Sequence, residues 1–356
     1  MRFQSNNWVL LLAAGGGDAL EYLITDENGR VIPRQFCSLN GGQSLLQESL
    51  RRARKLAPYR RVCVVVDAEH EHYWRPMLMA LPEINVIVQL CNRGSLNALL
   101  LGAVAILTRD AQARVFTWSA DQHVLDEETL VRAVRRAGAA HQRDREVVLG
   151  DRVLLLGMVP DDVDHPLRYI IPGVPVSPGI REVARFADNP TAVVARDLAA
   201  RGALCNSLIL EASAASIVEC IRERFPEIVD GFVAFVGHDT LSARLTGQFQ
   251  RLYENLPVRD VTQLVSQGGE TAFCVFVAPA CGWTDLATPR RVSNALHRLW
   301  SSPHRSSVVG ERYAPGVLSL ASHRAELKGA PLDQKSDTCC AHPGSPVPKH
   351  LPICQA

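Results

Sequence analysis

This 356-residue chain has no excess of charge of either sign: 38 Lys and Arg face 37 Asp and Glu, a formal charge of +1. That balance excludes a general nucleic-acid or membrane-surface binder, since both need a standing positive excess. It still allows a local basic cleft for a small phosphate ligand. Long hydrophobic runs are missing as well. The most apolar stretch, 98–107, is about half the length a bilayer span needs, so no membrane partner is expected. The ten cysteines contain no CxxC pair. Seven lie singly between Cys37 and Cys281, and Cys339, Cys340 and Cys354 sit near the end. This scatter excludes structural zinc and a disulfide framework, and fits the ordinary buried thiols of a cytoplasmic protein. Also missing are GxSxG, a P-loop GK[ST], a GxGxxG fingerprint and HExxH, which removes the usual signatures of Ser hydrolases, P-loop NTPases, dinucleotide enzymes and zincins.

What is present suits a large folded core: 47% of residues are apolar and 21% charged. The apolar run at 8–14 ends at Gly15, Gly16 and Gly17 without a clear cleavage site, so it reads as a buried strand entering a loop rather than a signal peptide. Strand patterns follow at 61–66, 85–89, 114–119 and 146–149. Helical patterns at 44–57, 95–107 and 127–141 alternate with them. This rhythm predicts a mostly parallel sheet covered on both faces, with ligands beyond the carboxyl ends of the strands. Three segments fall there: the loop after Ala14, the loop after Gln89, and 119–123. From Arg168 the pattern turns irregular around Pro172, Gly173, Pro175, Pro178 and Gly179. Helices are expected again at 191–201, 212–225, 239–253 and 289–300, with a strand at 273–278. From about 326 onward Lys, Pro, Ser, Gly and His dominate, which reads as a disordered tail.

Several short segments carry chemistry. Three glycines after a buried strand let backbone N–H groups approach a phosphate closely. Pro33, Arg34, Gln35 and Phe36 follow, then a helix opening Ser44, Leu45, Leu46, Gln47. Further along come Asn92–Arg93–Gly94–Ser95 with Ala98, then 119–124 (SADQHV), 169–173 (YIIPG), 183–190 (VARFADNP), 202–207 (GALCNS) and 282–286 (GWTDL). In this order they resemble the sugar-1-phosphate nucleotidylyltransferases, specifically the mannose-1-phosphate guanylyltransferase-like branch, with its LAGGxGTRL, PKQF, GRNTAPA, SDHxI, GYI, FxEKP, GxxWNS and GWxDxG segments. The resemblance runs from about Trp8 to Leu299.

The resemblance implies a three-layer α/β, Rossmann-like nucleotide-diphospho-sugar transferase fold with a mainly parallel central sheet. A nucleotidyltransferase domain would span 1–300, with a sugar-binding lid at about 160–260, a C-terminal extension at 301–325 and the tail at 326–356. The implied reaction joins a sugar-1-phosphate to a nucleoside triphosphate, GTP and mannose-1-phosphate by default, and releases pyrophosphate. Mg²⁺ would be held by Asp121 and Asp285, since hard oxygen donors suit it. Arg34 and Asp121 would be catalytic. Ala14, Gly15, Gly17, Asn92, Arg93, Gly94 and Ser95 would bind the nucleotide. Asp164, Arg168, Asp188 and Asn206 would bind the sugar. A homo-oligomer is left open.

The chain departs from the pattern at several of these positions. Asp18 and Ala19 replace the loop's Thr-Arg, so a cation facing the triphosphate gives way to a carboxylate. Arg34 replaces Lys, exchanging a point charge for a planar fork. Asn189 replaces the Lys of EKP, Asp188 its Glu, Arg168 the Gly of GYI and Cys205 the Trp of WNS. Pro166 stands where an acidic residue is usual, with Asp164 and His165 beside it. Two readings follow. One is a divergent active enzyme in which Arg168 and His165 compensate for the lost cations. The other is a catalytically impaired paralogue that binds nucleotide or nucleotide sugar and acts as a regulatory or binding protein.

Overall fold

A computed structural model describes residues 6–15, 31–160, 167–236, 247–266 and 268–301, side chains at 233–236 and 247–249 excepted. All belong to one compact unit spanning Met1–Ser322. Gly17, Asp164, the first part of the helix expected at 239–253, the extension and the tail lie outside the described residues.

The strands are β1 (Asn7–Ala13), β2 (Val62–Asp67), β3 (Val86–Gln89), β4 (Arg114–Ser119), β5 (His123–Val124), β6 (Val153–Met158), β7 (Tyr169–Ser177), β8 (Ile180–Ala187), β9 (Leu204–Ser213), β10 (Phe273–Ala278) and β11 (Trp283–Thr284). The helices are α1 (Leu45–Arg54), α2 (Glu71–Leu78), α3 (Ser95–Leu107), α4 (Glu127–Asp144), α5 (Ala192–Ala200), α6 (Ala214–Arg224), α7 (Pro226–Val236), α8 (Gly247–Asn255), α9 (Val261–Leu264) and α10 (Pro289–Ser301).

Nine strands form one sheet in the order β3-β2-β1-β4-β9-β6-β10-β8-β7, and β5 pairs with β11 in a separate ribbon. β3, β2, β1 and β4 run parallel, as do β6 and β10, while β9 lies antiparallel between β4 and β6. The sheet is thus mostly parallel in its core, as expected. The 160–260 segment, read as a lid, is woven into it, because β9 occupies a central position.

Successive residues of β1 point to opposite faces, and both faces are buried. Val9 and Leu11 pack with α1 and α4 residues such as Leu46 and Leu130. Leu10 and Leu12 pack with α3 and α6 residues such as Leu99 and Ile217. Helices therefore cover the sheet on both sides, giving three layers. α1 starts at a capping box in which the Ser44 hydroxyl accepts from the Gln47 amide and the Gln47 side chain accepts from the Ser44 amide.

One expected strand is absent. Residues 146–149 continue α4 as a π-type turn, Arg145–Leu149, ending at Gly150 with φ +60. Val147 is 85% exposed, so its β-branched pattern carries no packing and the strand forms later, as β6. The helix expected from 212 begins at Ala214, because Ala212 and Ser213 still belong to β9 and the Ser213 hydroxyl caps α6.

Candidate functional site

The end of β1 meets the PRQF segment first. Gln35 Nε2 donates to the Ala13 carbonyl at 3.0 Å and to the Gly15 carbonyl at 2.8 Å, fixing where the strand becomes a loop. Gly15 has φ +95, a region that favours glycine, and its N–H donates to Asp67 Oδ2 at 2.5 Å. Asp67, the last residue of β2, is 1% exposed. Its other oxygen accepts from Gln89 Nε2, and Gln89 Oε1 accepts from the Tyr253 hydroxyl at 2.5 Å. A chain of side chains thus runs from α8 through β3 and β2 to the glycine loop. Sequence reasoning missed Asp67, Gln89 and Tyr253. A carboxylate closing the buried run RVCVVVD was the available signal.

The Asn92–Ser95 segment lies nearby. A Cβ on Gly15 would come 3.4 Å from Asn92 Nδ2, so Gly15 and Asn92 face one another. Asn92 Oδ1 accepts from the Gly94 N–H at 2.8 Å. The rest of the segment docks on the chain around Arg259. The Arg259 N–H donates to the Arg93 carbonyl, and Leu96 N–H to the Arg259 carbonyl, both at 3.0 Å. The Ser95 N–H and hydroxyl both reach Asp260 Oδ1 at 3.1 Å. Ala14, Gly15 and Asn92 are therefore brought together, whereas Arg93, Gly94 and Ser95 are engaged in holding the N-terminus of α3.

Arg34 joins three motifs that are far apart in sequence. Its Nη2 donates to Asp121 Oδ2 at 2.6 Å, and its Nη1 to the Leu286 carbonyl at 3.0 Å. The Ser119 hydroxyl donates to Asp121 Oδ1 at 2.5 Å. Gln122 adds a second junction: its Nε2 donates to the Ser207 carbonyl at 2.7 Å and its Oε1 accepts from Trp283 Nε1 at 3.0 Å. Asp285, directly after β11, is held by Arg291 of α10, whose Nη1 lies 2.7 Å from Oδ1 and 2.8 Å from Oδ2. A cavity of about 70 Å³ opens beside it, with His123, Cys205, Trp283, Asp285, Arg291 and Arg298 in its wall.

The remaining candidates form a third group. Arg168 Nε lies 3.4 Å from Asp188 Oδ1, and the Arg168 carbonyl accepts from the Asn206 N–H at 2.8 Å. Asn206 is 6% exposed; its Oδ1 accepts from the Leu208 N–H at 3.1 Å, while its buried Nδ2 has no partner among the described residues. Backbone strain gathers at the same motifs. Among the described residues, the non-glycine residues with positive φ are Asn189, Leu208 and Leu286. They neighbour Asp188, Asn206 and Asp285, and strain of this kind persists where surrounding contacts over-determine it, often at functional sites.

Two chemistries can be tested on this geometry. Burial pushes the Cys37, Cys63, Cys220 and Cys274 thiols up to about 12, which leaves them protonated and poor nucleophiles. For Mg²⁺, Asp121 and Asp285 offer suitable hard oxygens. Every one of those oxygens, however, already accepts from Ser119, Arg34 or Arg291 within 2.8 Å. The arrangement as it stands does not fit a resident divalent cation.

No family model matches the chain. Among curated proteins it is similar to a mannose-1-phosphate guanylyltransferase of Salmonella typhimurium, 23% identical over 78% of this chain and 56% of that protein. It is also similar to one of Salmonella muenchen, 22% identical over 86% and 62%. The chain spans about three fifths of the length of these relatives. Among solved structures, one described as mannose-1-phosphate geranyltransferase from Thermus thermophilus superposes with a TM-score of 0.68 at 22% identity, covering 83% of this chain and 80% of that one. The inositol-1-phosphate CTP transferase of T. maritima gives 0.50 at 12% identity, covering 85% and 99%. In the order of its motifs, in its curated relatives and in its fold, the chain resembles the sugar-1-phosphate nucleotidyltransferases, and the mannose-1-phosphate guanylyltransferases among them.

Proposed function

We propose that the protein transfers a nucleotidyl group from a nucleoside triphosphate to a sugar-1-phosphate, with GTP and mannose-1-phosphate as its substrates. The observation that supports this reading is the Arg34 guanidinium, which hydrogen-bonds the PRQF segment to the SADQH and GWTDL segments although its partners lie 87 and 252 residues away in sequence. The reaction asks for three things at one place. A phosphate must be cradled by backbone N–H groups, a sugar phosphate must be oriented, and the charge that develops as its oxygen attacks the α-phosphate and pyrophosphate leaves must be neutralised.

The loop at Ala14 and Gly15 with Asn92 suits the first task. Arg168, Asp188 and Asn206 suit the second, and the unpaired Asn206 Nδ2 supplies a buried donor whose cost is recovered only when a ligand accepts from it. Arg34 suits the third: its Nε is buried and has no partner among the described residues, and its fork already lies at the centre of the cluster. Asp121 fixes the orientation of that fork.

The test is pyrophosphate release by the purified protein across a panel of nucleoside triphosphates and sugar-1-phosphates, with Mg²⁺ and with a chelator. Release that requires both GTP and mannose-1-phosphate, and that falls at least 10²-fold in Arg34→Ala, is the expected result. A folded protein that releases no pyrophosphate with any pair overturns the reading.

A further inference from the structure

The two carboxylates that the resemblance assigns to a divalent cation each carry a guanidinium instead. Arg34 lies on Asp121 with a side chain 13% exposed, and Arg291 lies on Asp285 with a side chain 6% exposed. The two pairs are tied together, since Arg34 also donates to the carbonyl of Leu286, the residue after Asp285. We infer that Arg291 stands in the place of a resident metal ion: the carboxylate pair of this chain is neutralised by protein-held guanidinium groups and takes no divalent cation of its own.

Charge and geometry both lead there. Two carboxylates against two guanidiniums leave the cluster neutral, so it does not attract a cation as a bare carboxylate pair would. An arginine cannot lose its proton to make way. A metal entering at Asp285 would have to displace Arg291, whose side chain is only 6% exposed, from the carboxylate it holds. Sharing the carboxylate would also crowd the two cations. Mg²⁺ demands near-octahedral oxygen ligands at about 2.0–2.1 Å, while Arg291 Nη1 already spans both Asp285 oxygens at 2.7 and 2.8 Å and the Ala287 N–H takes Oδ1 at 3.0 Å. The substitution is also local in the sequence: Arg291 lies six residues after Asp285, at the first turn of α10, so one short segment supplies both the carboxylate and its cation. The consequence is a cluster whose carboxylates are neutralised whether or not metal is present.

Metal occupancy can be read without turnover, so the outcome stands whether or not the proposed transferase reaction is found. The full chain, free of nucleotide, is titrated with Mn²⁺ and the free ion is followed by electron paramagnetic resonance. The wild-type protein is expected to hold no Mn²⁺ that depends on Asp285, so Asp285→Asn gives the same titration; any ion taken by the separate Asp67, Glu69 and His70 group is common to both. Arg291→Met, which keeps an apolar stem and removes the charge, is expected to gain one Mn²⁺ per chain, at least tenfold tighter than wild type, and to lose it again when Asp285→Asn is added. A wild-type protein that holds one Mn²⁺ sensitive to Asp285→Asn overturns the inference. So does a folded Arg291→Met that gains none. Should Arg291→Met fail to fold, Arg291→Gln, which keeps a donor against Asp285, takes its place in the same titration with the same two outcomes.

Discussion

At the scale of single residues, the glycine-loop contacts show how a buried carboxylate sets the path of the loop above it. Asp67 accepts from the Gly15 N–H and from Gln89, so it sets the direction of the loop backbone. Asp67→Asn turns one acceptor oxygen into a donor facing donors. Nucleotide affinity, measured by calorimetry, should fall about tenfold, the loss of roughly one charge-assisted hydrogen bond, with little change in the fold. Gly94 is a stricter case. Its φ of +86 with ψ of 162 lies in a region that is essentially glycine's, and a Cβ there would come 2.2 Å from the Arg259 carbonyl oxygen. Gly94→Ala should therefore lower unfolding free energy by at least about 1–3 kcal/mol, measured by urea denaturation.

At the scale of elements, one buried ionic cluster pins a helix to the sheet and a second pins two helices to the β5–β11 ribbon. Glu211 of β9, fully buried, is paired with Arg114 of β4 and lies 2.6 Å from His141 Nδ1 of α4. Glu211→Gln would leave Arg114 without its carboxylate and should cost about 3–5 kcal/mol in the same denaturation experiment. The second cluster joins α1, β5 and α4 through Glu48, Arg52, His123 and Glu127. Burial alone would raise Glu48, but the His123 hydrogen bond and charge, with Arg52 and Arg51, hold its carboxyl below the ordinary 4.5. A carboxylate depressed in the folded state binds its proton more readily when unfolded. Its stabilisation is complete above about pH 4.5 and is lost as pH falls through the folded value. Glu48→Gln should flatten the acid limb of stability against pH.

The same elements explain what could be read in advance. β1, β2, β3, β4, α1 and α3 were legible because each is an unbroken apolar run or a helical stripe between clear turn signals. β7 was not, because Pro172, Gly173 and Pro175 read as turns. It lies at the end of the strand order, where its pairing with β8 shifts register at those prolines, a position in which a missing N–H is tolerated. β9 was hidden by Asn206, Ser207 and Glu211, polar residues that break the pattern until their partners on other strands are known. In the candidate site, the motifs pointed to Arg34, Asp121, Asn206 and Asp285. The partners Gln89, Tyr253 and Arg291 came from pairings across 22 to 164 residues, or from a helix turn outside any motif.

At the scale of the whole molecule, a ligand that binds only the folded state raises its stability by mass action. At a concentration about 100-fold above its dissociation constant the gain is about 2.7 kcal/mol, which for a chain of this size corresponds to a melting shift of several degrees. Thermal denaturation against a panel of nucleoside triphosphates should single out GTP. An equal shift with every base would place recognition in the phosphates alone.

The strand order also sets a schedule for folding. β4 pairs on one side with β1, made early, and on the other with β9, while β6 pairs with β10, so Val153 waits for Phe273. During synthesis the first four strands can assemble, but the outer edge of β4 carries unpaired N–H and C=O groups until residues 204–213 emerge. Contacts of such long sequence separation are slow to close, because loop entropy is lost before they form. A state in which only the parallel half has assembled would offer that edge to another chain, and the antiparallel β9 is the piece that closes it.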